Sequence, residues 1–225
     1  MLRHGGMTLT QTPAGGSIKE FFMSIKIGKH FEIFRDFESI DSGQRIPIIL
    51  GSGRAFGSGE HETTSSCLEE LENIPIIPGA KVLDLGCGTG ILSIAAVGMG
   101  ARHITAVDPS HHAITLTVKN ITLNHMGKKI IPLEGELDRV EDHDFDIILA
   151  NLYGDILVKL AGEIAARLKT GGYVLLSGIL YEYTYDVKRE LLQRECELLK
   201  ARYLEEYTTL LFRGPFHSMP TSSAS

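Results

Sequence analysis

The run KVLDLGCGTGILSIAAV, residues 81–97, decides the fold. Its opening, Lys81 to Leu85, is a short apolar stretch broken only by Asp84 and reads as a buried strand. Gly86, Gly88 and Gly90 then alternate, and an apolar helix follows from about Ile91 to Val97. A strand that turns so quickly into a helix needs glycine for positive φ, and glycine also lets a ligand approach the backbone closely.

The spacing narrows the ligand. A dinucleotide fingerprint is G-x-G-x-x-G, whereas here the run is G-x-G-x-G, with Ile91 where that glycine would stand. A Walker loop ends in Gly-Lys-Ser/Thr, which is absent. The remaining common nucleotide ligand for such a turn is S-adenosyl-L-methionine, which has no pyrophosphate to cradle.

Outward from this turn, short β-rich runs alternate with longer helical patterns, the signature of βαβ units. Strands are expected at His103–Val107, Lys129–Leu133, Phe145–Ala150, Tyr173–Ser177 and Thr208–Phe212. Helices are expected over Ala113–His125 and over Ile156–Leu168, the latter stopping at Gly171-Gly172. Val187, Leu191, Leu192, Cys196 and Leu199 stripe one more helix. The fold class is α/β: a Rossmann-like, class I S-adenosylmethionine-dependent methyltransferase type. Six of its strands are legible here, and membership of that class implies a doubly wound, mostly parallel sheet of seven strands with the last antiparallel. Such sheets bind ligands at the carboxyl ends of their strands.

Ahead of this core, Ile25–Ile33 and Ile46–Leu50 read as strands. They lead into a second glycine-rich loop, Gly51 to Gly59, and a helix from about Ser65 to Asn73. Gly51 to Thr64 is expected to act as a mobile cover over the ligand, since its glycines lower the cost of rearrangement. The expected organisation is a flexible arm at 1–24, linker strands at 25–50, a methyltransferase domain at 51–213 and a disordered tail at 214–225.

Polar residues at the predicted strand ends are the candidate site. Asp108 ends the second strand, where a carboxylate accepts both ribose hydroxyls. Glu134-Gly135-Glu136 follows the third, and Glu136 is the candidate acceptor for the adenine amino group. Asn151 ends the fourth, where its uncharged amide can hold an incoming amine with the lone pair aimed at the methyl group. Tyr153 walls the site and favours a cationic methyl by cation–π contact. Thr64, at a helix start, suits a carboxylate, with Thr63 or Thr64 the alternative N-cap. Asp84, Gly86, Gly88 and Gly90 complete the cofactor set.

Composition excludes several classes. The 225 residues carry 28 acidic and 22 basic side chains, a formal charge of −6, opposite to the balance of a phosphate-neutralising nucleic-acid binder. No apolar run is long enough to span a bilayer, and the first twenty residues lack a secretory h-region. Three cysteines, Cys67, Cys87 and Cys196, without C-x-x-C spacing, make neither a disulfide framework nor a zinc site. Glu60-His61-Glu62 cannot close a metal shell because adjacent residues point apart, so no metal is expected and His61 is read as a lid residue. His111 and His112 are read as an exposed helix start, and Cys87 lacks a partner base. A cytoplasmic location fits the cysteine usage.

These residues together resemble the PrmA family of ribosomal-protein methyltransferases over roughly residues 25–213. The resemblance rests on Ile27-Gly28 with Phe31 and Ile33, on the segment Ala55 to Thr64, on Leu83 to Ala96, on Ala150-Asn151 and on Ser177-Gly178-Ile179-Leu180. It implies Thr64 at the methionine end of the cofactor, Gly86 and Asp108 as loop and ribose contacts, and Asn151 as a residue shared by cofactor and substrate. It also implies N-methylation of a protein amine, a ribosomal protein by family. A smaller amine acceptor, or a cofactor-binding module without catalysis, is the alternative. Direct nucleic-acid and membrane partners are not expected. Where the family continues Asn151 with Ile-Leu-Ala, this chain has Leu152-Tyr153-Gly154, and Ser110 stands where a second acid is common. With only about 24 residues ahead of the linker strands, the family's separate N-terminal recognition domain is expected to be missing. Weak labelling of the ribosomal protein is expected to follow.

Overall fold

A computed structural model describes residues 24–35, 42–52, 57, 59–76 and 78–215. Ten strands and five helices follow one another: β1 Ile25–Ile27, β2 Phe31–Arg35, β3 Ile46–Leu50, α1 Glu62–Leu71, β4 Lys81–Leu85, α2 Ile91–Gly98, β5 His103–Asp108, α3 His111–Leu123, β6 Ile130–Glu134, β7 Phe145–Asn151, α4 Gly154–Arg167, β8 Leu168–Leu180, α5 Tyr181–Leu192, β9 Glu197–Tyr203 and β10 Tyr207–Arg213.

Seven strands form the main sheet in the order β6-β5-β4-β7-β8-β10-β9. β4 pairs parallel with β5 and β7, β5 with β6, and β7 with β8. Only β10 runs against the rest, antiparallel to both β8 and β9. The expected architecture is therefore present, with the order reversing between β4 and β7, the crevice position for a ligand.

Side-chain alternation sorts the sheet into two cores. Val82, Ile104, Ile147 and Leu149 face α1, α2 and α3 together with Cys67, Leu68, Ile94 and Ile121. Leu83, Leu85, Phe145, Ile148 and Ala150 face the other way, onto Leu157 and Ile164 of α4 and Val187 and Leu191 of α5. Phe145 and Phe212 are fully buried, each contributing about 1.5–3 kcal/mol by leaving water.

The structure corrects several boundaries. The expected strand Ile25–Ile33 is two antiparallel strands, β1 and β2, because Gly28 turns the chain at φ +55. β2 then pairs parallel with β3 in a separate three-stranded sheet. Glu72 accepts from the backbone N–H groups of Lys29 and His30, fastening that turn to the end of α1. From α3, Asn124 brackets Ile49 of β3 through both amide atoms, and Asn120 accepts from Gly51 N–H while donating to the Thr89 carbonyl.

α4 passes straight into β8 at Leu168, and Gly171 lies inside that strand at φ +70 rather than stopping the helix. The expected long helix through Leu199 ends at Leu192; Glu195 turns the chain at φ +60, and Leu199 belongs to β9. β9 is fastened to α1 by Lys200–Glu70 (2.8 Å) and by Arg202 on Glu69. Its pairing with β10 carries a register shift between Leu211 and Phe212. At the opposite edge, β6 contains Pro132. The expected tail begins at 214, yet the Gly214 N–H bonds to Gly172 and the Pro215 carbonyl accepts from Gly171. Residues 1–23 and 216–225 of the expected arm and tail lie outside the described residues. So do 53–56 and 58 of the expected cover.

Candidate cofactor and acceptor site

The glycine turn between β4 and α2 has Gly86, Gly88 and Gly90 at φ +72, +57 and +77, a left-handed succession that side chains with a Cβ rarely adopt. The turn hangs on β5, since Gly86 and Cys87 both donate to the Val107 carbonyl. Gly90 is the N-cap of α2 and has no side chain to cap with. Asp84 supplies the missing acceptor from β4. Its Oδ2 takes the Ser93 backbone N–H at 3.0 Å and the Ser93 hydroxyl at 2.6 Å. Its Oδ1 is buried with no partner. Burial pushes the Asp84 carboxyl up to about 6 against the two Ser93 hydrogen bonds, and the charge of Asp108 adds to the rise.

Asp108, at the end of β5, points to the same turn. Its Oδ2 accepts from the Gly88 N–H at 3.0 Å and its Oδ1 from the Ser110 N–H at 2.9 Å, so both oxygens are held in place. The N-cap of α3 is Ser110, not Asp108.

Across the crevice, α1 begins at Glu62 with His61 as N-cap, its Nδ1 facing the Thr63 hydroxyl at 2.8 Å. Thr63 and Thr64, for which an N-cap role was the alternative reading, lie inside the helix and are buried. The Thr64 hydroxyl receives the Asn151 Nδ2–H at 3.4 Å. Asn151 Oδ1 is buried with no partner. Behind it, Ser177 lies opposite Asn151, and its carbonyl takes the Leu152 N–H at 3.1 Å. Gly178 sits at φ +79, and a Cβ there would lie 2.6 Å from the Leu152 carbonyl and 3.1 Å from Asn151 Oδ1.

Two buried acceptors without partners therefore lie on one face of the sheet, at neighbouring strands. Alternation places Asp84 on the Val82 face and Asn151 on the Ile147 and Leu149 face, which is the same face. Asp84 lies opposite Leu149 on the neighbouring strand. With Asn151 two residues further along, the register separates the two Cα atoms by roughly 8 Å. A ligand with two N–H-bearing centres satisfies both atoms, and unsatisfied buried acceptors are otherwise costly.

The remaining candidates stand further out. Tyr153 caps α4 and is 65% exposed. Glu136 is exposed at the start of a short 3-10 turn, Leu137–Arg139. Its neighbour Glu134 is engaged instead, by His111 Nδ1 at 2.7 Å. Cys87 is buried, and burial together with Asp84 pushes its thiol far up, which disfavours the thiolate. Among the described residues no cluster fit for a metal ion occurs, and no helix is long and apolar enough to cross a membrane. The bracing of Asp84 by Ser93 and the close approach of Gly178 to Asn151 were not read from the sequence. Only the spacing of Ser93, three residues into α2 after the cap glycine, carried a readable signal.

A doubly wound sheet with one reversed strand, a G-x-G-x-G turn and strand-end acids defines a Rossmann-like fold of the S-adenosylmethionine-dependent methyltransferase class. Solved structures of that class superpose on it. The ribosomal protein L11 methylase of Lactobacillus delbrueckii subsp. bulgaricus matches with a TM-score of 0.75 and 27% identity, covering 87% of this chain and 100% of that one. The Thermus thermophilus 16S rRNA N2 G1207 methyltransferase, solved with AdoMet and guanosine, matches with a TM-score of 0.58 and 25% identity, over 71% of this chain and 45% of that one. The family model for ribosomal protein L11 methyltransferase (PrmA) matches residues 15–214, and the chain belongs to that family. The ribosomal protein L11 methyltransferase of Geobacter sp. (strain M21) is 38% identical over 208 residues, 88% of this chain and 65% of the relative. That of Thermoanaerobacter pseudethanolicus is 36% identical over 196 residues, 87% and 63%. The chain thus spans just under two thirds of the length of these relatives.

Proposed function

We propose that the chain binds S-adenosyl-L-methionine in this crevice and transfers its methyl group to an amine of a protein, a ribosomal protein by family. The pair of buried, partnerless oxygens, Asp84 Oδ1 and Asn151 Oδ1, carries this reading. When bound, the cofactor supplies a methyl group on a sulfonium, already a good leaving group. The chain has therefore to position and neutralise rather than to activate a nucleophile covalently.

Asp108, fixed by two backbone N–H groups, keeps lone pairs for a ribose diol. Asp84 Oδ1 is suited to a cationic ammonium, since charge there offsets the burial of the carboxylate. The left-handed glycines leave their backbone open to close approach. Asn151 offers a neutral oxygen to an acceptor N–H. A carbonyl oxygen orients an amine without taking its proton, leaving the lone pair free for the methyl. Thr64 holds the other end of that amide. The family resemblance implies Thr64, Gly86, Asp108 and Asn151 among these residues, while Glu136 and Tyr153 remain outlying candidates for adenine and acceptor. Tritiated methyl transfer from labelled cofactor to the isolated ribosomal protein L11 is the test. Label in the protein supports the reading, and tight NAD binding without transfer sinks it.

A further inference from the structure

Beyond the crevice, α5 and β9 enclose a groove of about 450 Å³ lined by Tyr181, Thr184, Tyr185, Lys188 and Tyr203. Three of its walls are exposed tyrosines: Tyr181 is 48%, Tyr185 72% and Tyr203 61% exposed. The Tyr181 and Tyr203 rings lie 6.2 Å apart, tilted by 53°, and form an open V. Flat, stiff, amphipathic rings of this kind are the residues on which protein contacts concentrate their binding energy.

The groove opens on the same edge of the sheet as the crevice. Tyr181 follows the carboxyl end of β8, as Asn151 ends β7, and Tyr203 ends β9, which runs parallel to them. The two sites also share a frame. The Tyr181 hydroxyl donates to the Leu204 carbonyl, and the next two backbone N–H groups, of Glu205 and Glu206, donate to Glu62 in the first turn of α1. Two residues on, Thr64 holds Asn151.

The charge around the groove chooses its occupant. Glu182, Glu205 and Glu206 are exposed on the crevice side, and none is paired with a cation among the described residues. Arg189 lies over Tyr185 and is matched by Asp186 and Glu190, which leaves Lys188 as the one lining cation. An acidic rim beside open tyrosine faces suits lysine side chains, which bury an apolar stem and place an ammonium on a π-face or carboxylate. It repels a phosphate backbone.

We infer that this groove docks a lysine-bearing extended segment of the polypeptide acceptor, presenting it along the sheet edge toward Asn151. The inference rests on the protein-amine reading above and deepens it.

Only three of the chain's seven tyrosines line this groove, and the test variant removes two of them, so binding is read by titration calorimetry. A short lysine–alanine peptide, its glutamate–alanine counterpart and a single-stranded oligouridylate are titrated into the wild-type chain and into the Tyr185→Ala/Tyr203→Ala double variant. S-adenosylhomocysteine affinity serves as the check on folding in both. The wild type should bind the lysine peptide, and the double variant should bind it at least ~tenfold more weakly with unchanged S-adenosylhomocysteine affinity. Equal affinity in the two proteins, no binding by the wild type, or preference for the glutamate peptide or the oligouridylate overturns the proposal. A parallel methyl-transfer assay on ribosomal protein L11 separates the two readings. Peptide binding without any transfer leaves the groove standing and removes the proposed activity. Transfer with the same KM in both proteins leaves the activity standing and removes the groove.

Discussion

The cofactor side of the crevice and its acceptor side are built by different means. At the ends of β4 and β5, contacts run within a short span: Asp84 reaches Ser93 nine residues on, and Asp108 reaches Gly88 and Ser110. At the ends of β7 and β8, Asn151 is oriented by Thr64, 87 residues earlier, and Ser177 is bonded to Thr209 on β10 at 2.7 Å. Ser66 of α1 adds a second hydroxyl to Thr209 at 2.8 Å. On the proposed reading, holding the cofactor is a local device, whereas presenting the acceptor depends on four elements meeting. The departures from the family's Ile-Leu-Ala, Leu152-Tyr153-Gly154, also fall on the acceptor side.

The substitution that should break this division most severely is Gly178→Ala. A Cβ there meets the Leu152 carbonyl and Asn151 Oδ1 in a left-handed conformation, costing about 1–3 kcal/mol of strain. Because Asn151 is displaced, kcat should fall by ~10²-fold or more. The S-adenosylhomocysteine affinity, measured by calorimetry, should fall far less. Equal losses in both quantities would show that the two sides are one unit.

The converse variant is Asp108→Ala. It should weaken the cofactor by ~1–3 kcal/mol, the range for hydrogen bonds to a charged group, and leave the acceptor KM unchanged at saturating cofactor. Normal affinity in the titration would remove Asp108 from the site.

A smaller effect concerns Asp84, whose carboxyl is raised from 3.8 to about 6 by burial. The folded chain therefore holds this proton more tightly than the unfolded chain. As pH falls from neutrality through about 6 toward 3.8, this group adds stability, roughly 3 kcal/mol in all by the usual conversion, and the addition is complete below the unfolded value. The charge for an ammonium is lost over the same window, so S-adenosylhomocysteine should weaken ~tenfold per pH unit below about 6. Asp84→Asn should flatten that profile. A profile that stays steep in the variant assigns the dependence to another group.

The same division marks what the sequence discloses. β4 to β7 and the glycine turn are readable because strand alternation, glycine and strand-end acids are local signals. β9 was hidden inside a helical stripe. Leu191, Leu192, Cys196 and Leu199 fit a helical period, and the break comes at Glu195, a left-handed residue that is not glycine. His61, not the threonines of the alternative reading, is the N-cap for a related reason, since a ring nitrogen accepting from Thr63 has no residue-type signature. Asp84 and Asn151 were legible as polar residues in a crevice, but which of their atoms stay unpartnered depends on residues far away in the chain.

The two edges of the main sheet have one more consequence. β6 carries Pro132, which has no N–H to offer, and β9 is kinked by its register shift and lined by Lys200 and Arg202, both committed to α1. Both features blunt the borders of the main sheet against pairing with another strand. A partner arriving at the β9 side meets side chains before it meets backbone, and the exposed tyrosine face sits beside an edge guarded against strand-by-strand growth.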